Sequence, residues 1–176
     1  MSDDYQPKTQ DSTQKFAKWM HYAAWLSALL LLYVFFDDSL QKQVNPNMDP
    51  NARFENGVAQ VELKRNRAGH YVTTGFINGK EVTFLLDTGA TNVSIPEKLA
   101  QRLNLEYGYE QRVNTANGQI TVYSTNIPTL EIGTIKLRNI SGNINPYMDG
   151  EGILLGMSAL KRLELVQKGD YLTLRL

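Results

Sequence analysis

Hydrophobic residues along this chain change their rhythm once. From Trp19 to Phe36 they run almost unbroken, WMHYAAWLSALLLLYVFF, with no charged residue and only His21 and Ser27 clearly polar. At 1.5 Å per residue such a helix would be about 27 Å long, close to the roughly 30 Å hydrocarbon core of a bilayer. Trp19, Tyr22 and Trp25 near one end, with Tyr33 near the other, suit membrane–water interfaces. A core helix should carry a polar stripe, and Ala23 to Phe36 has almost none. A cleaved signal peptide should end in a small-x-small site, whereas this segment ends Val34-Phe35-Phe36-Asp37-Asp38. The pattern predicts an uncleaved transmembrane helix over 19–36.

After that the rhythm shortens to that of strands. Ala59 to Leu63 alternates apolar and polar, and Tyr71 to Ile77 has strand composition. Asn78-Gly79 separates it from Glu81–Leu86, a strong hairpin signal. Ser94-Ile95-Pro96-Glu97 has capping-box spacing, and Ile95, Leu99 and Leu103 recur every four residues, which predicts a short helix. Gln111 to Tyr123, centred on Asn117-Gly118, is a second hairpin. Ile127–Leu130 and Ile135–Ile140 read as strands turning near Gly133. Ile153-Leu154-Leu155 is a short apolar strand ending at Gly156, followed by a short helix over Met157–Leu163. A Lys168-Gly169-Asp170 turn leads into alternating Leu172, Leu174 and Leu176. The sum is a mainly β domain, a small closed β fold with one or two short helices.

The polar segments complete the organisation. Residues 1–18 are predicted to be a disordered cytoplasmic tail. Residues 37–56, with Pro46, Pro50 and four asparagines, read as a linker, leaving 57–176 as the folded domain. Lys8, Lys15 and Lys18 precede the apolar run, while Lys42 and Arg53 follow it. This bias favours an N-terminus inside and a domain outside, periplasmic in a Gram-negative bacterium.

Composition narrows the chemistry. Eighteen basic and eighteen acidic residues balance to zero and are interspersed, so no nucleic-acid footprint is present. There is no cysteine, which removes disulfides and thiolate chemistry. Two histidines, His21 and His70, make no metal-ligand spacing. No metal and no cofactor are expected.

One motif carries chemistry. In Phe84-Leu85-Leu86-Asp87-Thr88-Gly89-Ala90-Thr91 an apolar strand runs into a carboxylate, a hydroxyl and a glycine. Such an order can hold one aspartate, partly buried, at a strand tip, although an aspartate there can also be a plain turn residue. Asp149-Gly150 lacks the threonine and the apolar strand, and reads as a loop. Gly118 suits any hairpin, and His70 suits a strand or loop.

From Gly69-His70-Tyr71 through the Asn78-Gly79 turn to Thr91, and on to Leu154-Leu155-Gly156, the chain resembles the retropepsin-like aspartic proteases of clan AA. The likeness is to their bacterial, membrane-anchored branch and covers roughly 58–176. It implies a retropepsin-like closed barrel and an aspartic endopeptidase without a cofactor. Asp87 would be the catalytic carboxylate, with Thr88, Gly89, Ala90 and Thr91 supporting its loop. Ala116, Asn117 and Gly118 would be the tip of a flap over bound peptide. Leu154, Leu155 and Gly156 would pack behind the catalytic loop. Retroviral members carry an acid and an arginine where this chain has Thr91 and Met157, so that ion pair is replaced here. Dyad chemistry needs two aspartates, and this motif occurs once. The resemblance therefore implies a homodimer acting on protein or peptide substrates. The alternative is a non-catalytic peptide-binding module on the same fold.

Overall fold

A computed structural model describes residues 10–115 and 118–176. The chain forms two compact units, Met1–Gln41 and Lys42–Leu176. Helix α1 (Gln10–Val44) is uninterrupted because neither glycine nor proline occurs between its ends. Phe16 to Phe36 are exposed, and the stretch Phe16–Val44 is long and apolar enough to cross a membrane. Two of its hydroxyls bond within the helix: Ser27 donates to the Ala23 carbonyl at 2.9 Å, and Ser39 to that of Phe35 at 3.0 Å. The expected tail thus gives way to helix by Gln10, while residues 1–9 lie outside the described residues.

Residues 37–56 differ from the linker expected of them. The helix continues to Val44, where Pro46 disfavours helical backbone in the residue before it. Asn45 and Asn47 are then buried. Asn47 Nδ2 donates to the carbonyls of Lys64 (2.9 Å) and Val72 (2.6 Å), and its Oδ1 accepts from the Lys64 amide at 2.7 Å. Asn45 Nδ2 donates to Thr74 Oγ1 at 3.0 Å. Strand β1 (Asn51–Glu55) follows and pairs antiparallel with β2 (Val58–Lys64). Asn56 and Gly57 between them both have positive φ, 52° and 81°, as a tight type I′ turn requires. Two of the asparagines that suggest a linker, Asn45 and Asn47, instead hold the chain to the domain.

The Asn78-Gly79 turn joins β3 (Val72–Ile77) to β4 (Lys80–Leu86) as expected. Next come β5 (Val93–Pro96) and α2 (Glu97–Arg102). The capping box does not form. Pro96 is itself the N-cap, with φ −55° and ψ 139°, and no side chain caps the helix; a proline pushes the residue before it towards extended backbone, and Ser94 and Ile95 lie in β5. Strands β6 (Glu110–Thr115) and β7 (Gly118–Ile132) form the second hairpin. β7 is one strand where two pieces were expected, and it turns near Gly133 into β8 (Ile135–Asn145). The chain ends with β9 (Gly152–Leu155), α3 (Met157–Leu160), β10 (Glu164–Lys168) and β11 (Tyr171–Arg175).

Two sheets result, with orders β1-β2-β11-β10 and β3-β4-β9-β5-β8-β7-β6. In the second, β3 also pairs with β7 through Phe76↔Glu131 and Ile77↔Leu130, which closes a barrel and leaves β6 outside the ring. Fully buried Leu63, Ile77, Phe84, Ile95, Ile127, Ile144 and Ile153 belong to one apolar core. The fold is mainly β, a small closed barrel preceded by one apolar helix.

Candidate active site

β4 delivers Asp87, and β9 fixes where it stops. The two run parallel, Leu86 beside Leu155, and the Asp87 amide donates to the Leu155 carbonyl at 3.1 Å. The strand ladder therefore runs up to the aspartate and ends there. The loop then folds back: the Gly89 amide donates to Asp87 Oδ1 at 2.8 Å, and the Ala90 amide to the Asp87 carbonyl at 3.3 Å. Asp87 is half-buried, while Thr88 and Gly89 are exposed at the tip. The Gly89 bond is the kind that holds a carboxylate in one orientation.

Behind the loop, the Met157 amide donates to the Ala90 carbonyl (2.8 Å) and the Ser158 amide to that of Thr91 (2.9 Å). A side chain on Gly156 would fall against the carbonyls of Asn92 and Ala90. Ser158 completes the support. Its buried hydroxyl accepts from the Val93 amide at 3.1 Å and donates to the Ser141 carbonyl at 2.6 Å. Backbone bonds and a serine thus hold the loop from behind. Ser158 carries no motif in the sequence and was not singled out there.

A cleft of about 730 Å³ opens beside the loop. Asp87, Gly89, Ala90 and Thr91 line one side, and Val113, Asn114 and Thr115 of β6 line another. Among its described lining residues Asp87 is the one acid. Gly118 has φ 112° and pairs with Thr115; Ala116 and Asn117, named with it as the flap tip, lie outside the described residues. Of the second-loop residues, Leu155 is buried behind the loop, whereas Leu154 lines the cleft, because successive residues of a strand face opposite ways. A smaller recess of about 330 Å³ lies on the other side of Asp87 and Thr88, walled by Leu86, Leu160, Leu165 and Leu172.

Away from the cleft, Tyr107 and Tyr123 meet edge to face, with ring centroids 5.5 Å apart. The Glu110 carboxylate raises the Tyr123 phenol above its usual value, helped by burial, a hydrogen bond to Glu110, and the more distant Glu97 and Tyr147. His70 is exposed in the turn between β2 and β3, where its amide donates to Asn66 Oδ1 at 2.9 Å. Among the described residues no cluster of three or more acids and histidines could hold a metal ion.

Residues 73–162, just over half of the chain, match the family described as gag-polyprotein putative aspartyl protease. The chain belongs to that family. An uncharacterized Sinorhizobium protein is 31% identical to it over 166 residues, 87% of this chain and 71% of that one. An uncharacterized protein of Rickettsia prowazekii is 27% identical over 118 residues, 65% of this chain and half of its own length. Among solved structures, the chain is similar to a retropepsin-like aspartic protease from Rickettsia conorii. The match has 28% identity and a TM-score of 0.58, over 72% of this chain and 95% of that one. The domain is thus a bacterial retropepsin-like fold.

Proposed function

We propose that this chain is a membrane-anchored aspartic endopeptidase whose active unit is a homodimer. Asp87 is the catalytic carboxylate. The observation that carries the reading is its setting: a half-buried carboxylate, held by the Gly89 amide, and the one acid among the described residues of a cleft that a hairpin borders. Two such groups about 3 Å apart share a proton. The ionised member accepts a proton from water as the water attacks the peptide carbonyl, and the protonated member donates to the carbonyl oxygen. The first then passes its proton to the nitrogen as the C–N bond breaks, while the second takes back a hydroxyl proton, giving acid, amine and the starting pair. Thr88 stiffens the paired loops, Gly89 admits the substrate backbone, and Gly118 with its neighbours 116 and 117 closes over the peptide.

The second carboxylate comes from a second copy, and β10 is where that copy docks. It is the end strand of its sheet, and Leu165 and Gln167 on it line the recess beside Asp87 and Thr88. Its sequence Glu164-Leu165-Val166-Gln167-Lys168 is self-complementary when two copies run antiparallel about Val166. Glu164 then faces the partner's Lys168, and Lys168 faces the partner's Glu164. Glu164 lies only loosely beside Arg175 within the protomer, at 3.7 Å.

Helix α1 anchors the protein, with the N-terminus in the cytoplasm and the domain outside, periplasmic in a Gram-negative cell. The test is a peptide-library digest by the full-length chain in detergent, beside Asp87→Asn. Cleavage with an acidic optimum, abolished in Asp87→Asn without change in circular dichroism, is expected. Cleavage that survives Asp87→Asn overturns the mechanism, and peptide binding without cleavage favours a binding module.

A further inference from the structure

The cleft beside Asp87 has polar side chains in its floor at positions where the barrel could hold aliphatic ones. Adjacent strands bring Leu154 of β9, Ser94 of β5 and Asn143 of β8 into one row, by the registers Ser94↔Leu154 and Ser94↔Asn143. All three line the cleft. Their strand neighbours Val93, Ile95 and Ile144 are fully buried in the core, so alternation turns Ser94 and Asn143 the other way. The pair is nonetheless only 8% and 7% exposed.

Ser94 Oγ donates to Asn143 Oδ1 at 2.7 Å. Among the described residues neither side chain makes another hydrogen bond, so the Asn143 amide keeps its Nδ2 donors for the cleft. Turning the amide over exchanges the roles but still leaves one polar edge facing outward. In the empty cleft water satisfies that edge. A bound peptide expels the water, and an aliphatic side chain there leaves the amide without a partner. A carboxamide or hydroxyl replaces the lost bonds.

We infer that Ser94 and Asn143 form a specificity subsite that takes a carboxamide or hydroxyl side chain of an extended peptide in preference to an aliphatic one. Leu154, next in the row, keeps the neighbouring stretch of floor apolar. The inference rests on the peptidase reading for its substrate class, but binding tests it separately from cleavage.

The experiment uses the full-length chain in detergent and pairs of peptides that differ only by Asn or Leu, which are nearly isosteric, moved position by position. At one position the wild-type chain should favour Asn at least tenfold in kcat/KM. The Ser94→Val, Asn143→Leu double variant should favour Leu at that same position, with the other positions unchanged. A second variant, Asn143→Asp, preserves shape and removes the donors; it should lose the Asn preference and gain one for Lys. Identical preferences in all three proteins overturn the inference. If the wild type cleaves nothing, the peptidase reading falls, and the same peptide pairs are read by fluorescence anisotropy. A tenfold Asn-over-Leu difference in Kd that the variants abolish then sustains the subsite. Equal affinities, or no binding by any peptide, overturn it.

Discussion

The Met157 amide donates to the carbonyl of Ala90 at 2.8 Å, across the point where Gly156 lets two loops touch. Gly156 itself has an ordinary extended backbone, φ −86° and ψ −176°. Its lack of a side chain matters for space and not for conformation. Gly156→Ala should push the Ala90–Asn92 segment outward and break the bonds from Met157 and Ser158. Such overpacking costs about 1–3 kcal/mol. The expected result is a lower Tm and a loss of peptidase activity larger than the Tm change explains; unchanged activity would show that the contact does not set the loop.

The charges on β10 test the docking mode. Glu164→Lys places like charges opposite one another twice per dimer. Cross-strand pairs contribute roughly 0.2–1 kcal/mol each, so losing two should weaken dimer affinity by about twofold to thirtyfold. Adding Lys168→Glu should restore it. Activity measured against protein concentration reads this directly, and the effect should shrink in high salt. A single variant with unaltered concentration dependence would place the interface elsewhere.

Asn47 joins the end of β2 to the start of β3 by three side-chain bonds. Asn47→Ala leaves the Lys64 amide and the Val72 carbonyl without them in a part-buried site. The expected cost is on the order of 2–4 kcal/mol, seen as a lower denaturant midpoint. A change within about 0.5 kcal/mol, as at ordinary surface positions, would mean that water replaces the asparagine.

Tyr123 supplies a pH dependence. Its phenol holds its proton more tightly in the folded chain than when unfolded, because of Glu110. The unfolded state therefore binds fewer protons above pH 10, and stability falls there as the pH rises. Below pH 10 the contribution is fully present. Tyr123→Phe should remove that alkaline decline and leave stability at neutral pH little altered. A decline as steep as in the wild type would assign it to other groups.

What could be read in the sequence followed local rules. Asn78-Gly79 marks its hairpin because both residues adopt positive φ, 51° and 75°. The apolar run into Asp87 shows the strand that carries it. What could not be read was non-local or chemically disguised. The parallel pairing of Leu86 with Leu155 joins residues nearly seventy apart, and no pattern in either strand names the other. Asn45 and Asn47 have the polarity of a loop, yet their side chains substitute for strand bonds. Ser94 looks like a helix cap by spacing, but Pro96 starts the helix and frees the hydroxyl for Asn143. Leu154 and Leu155 were expected to act together, and pleating sends them to opposite faces.

β1 has a consequence for handling the protein. It gives Val58–Glu62 of β2 a neighbour on the side away from β11. A fragment begun at Gly57 would strip that neighbour away and present bare main-chain donors and acceptors next to Val58, which is already 40% exposed. Raw strand margins of this kind recruit other copies into aggregates. Soluble versions should therefore retain the chain from Lys42 onward.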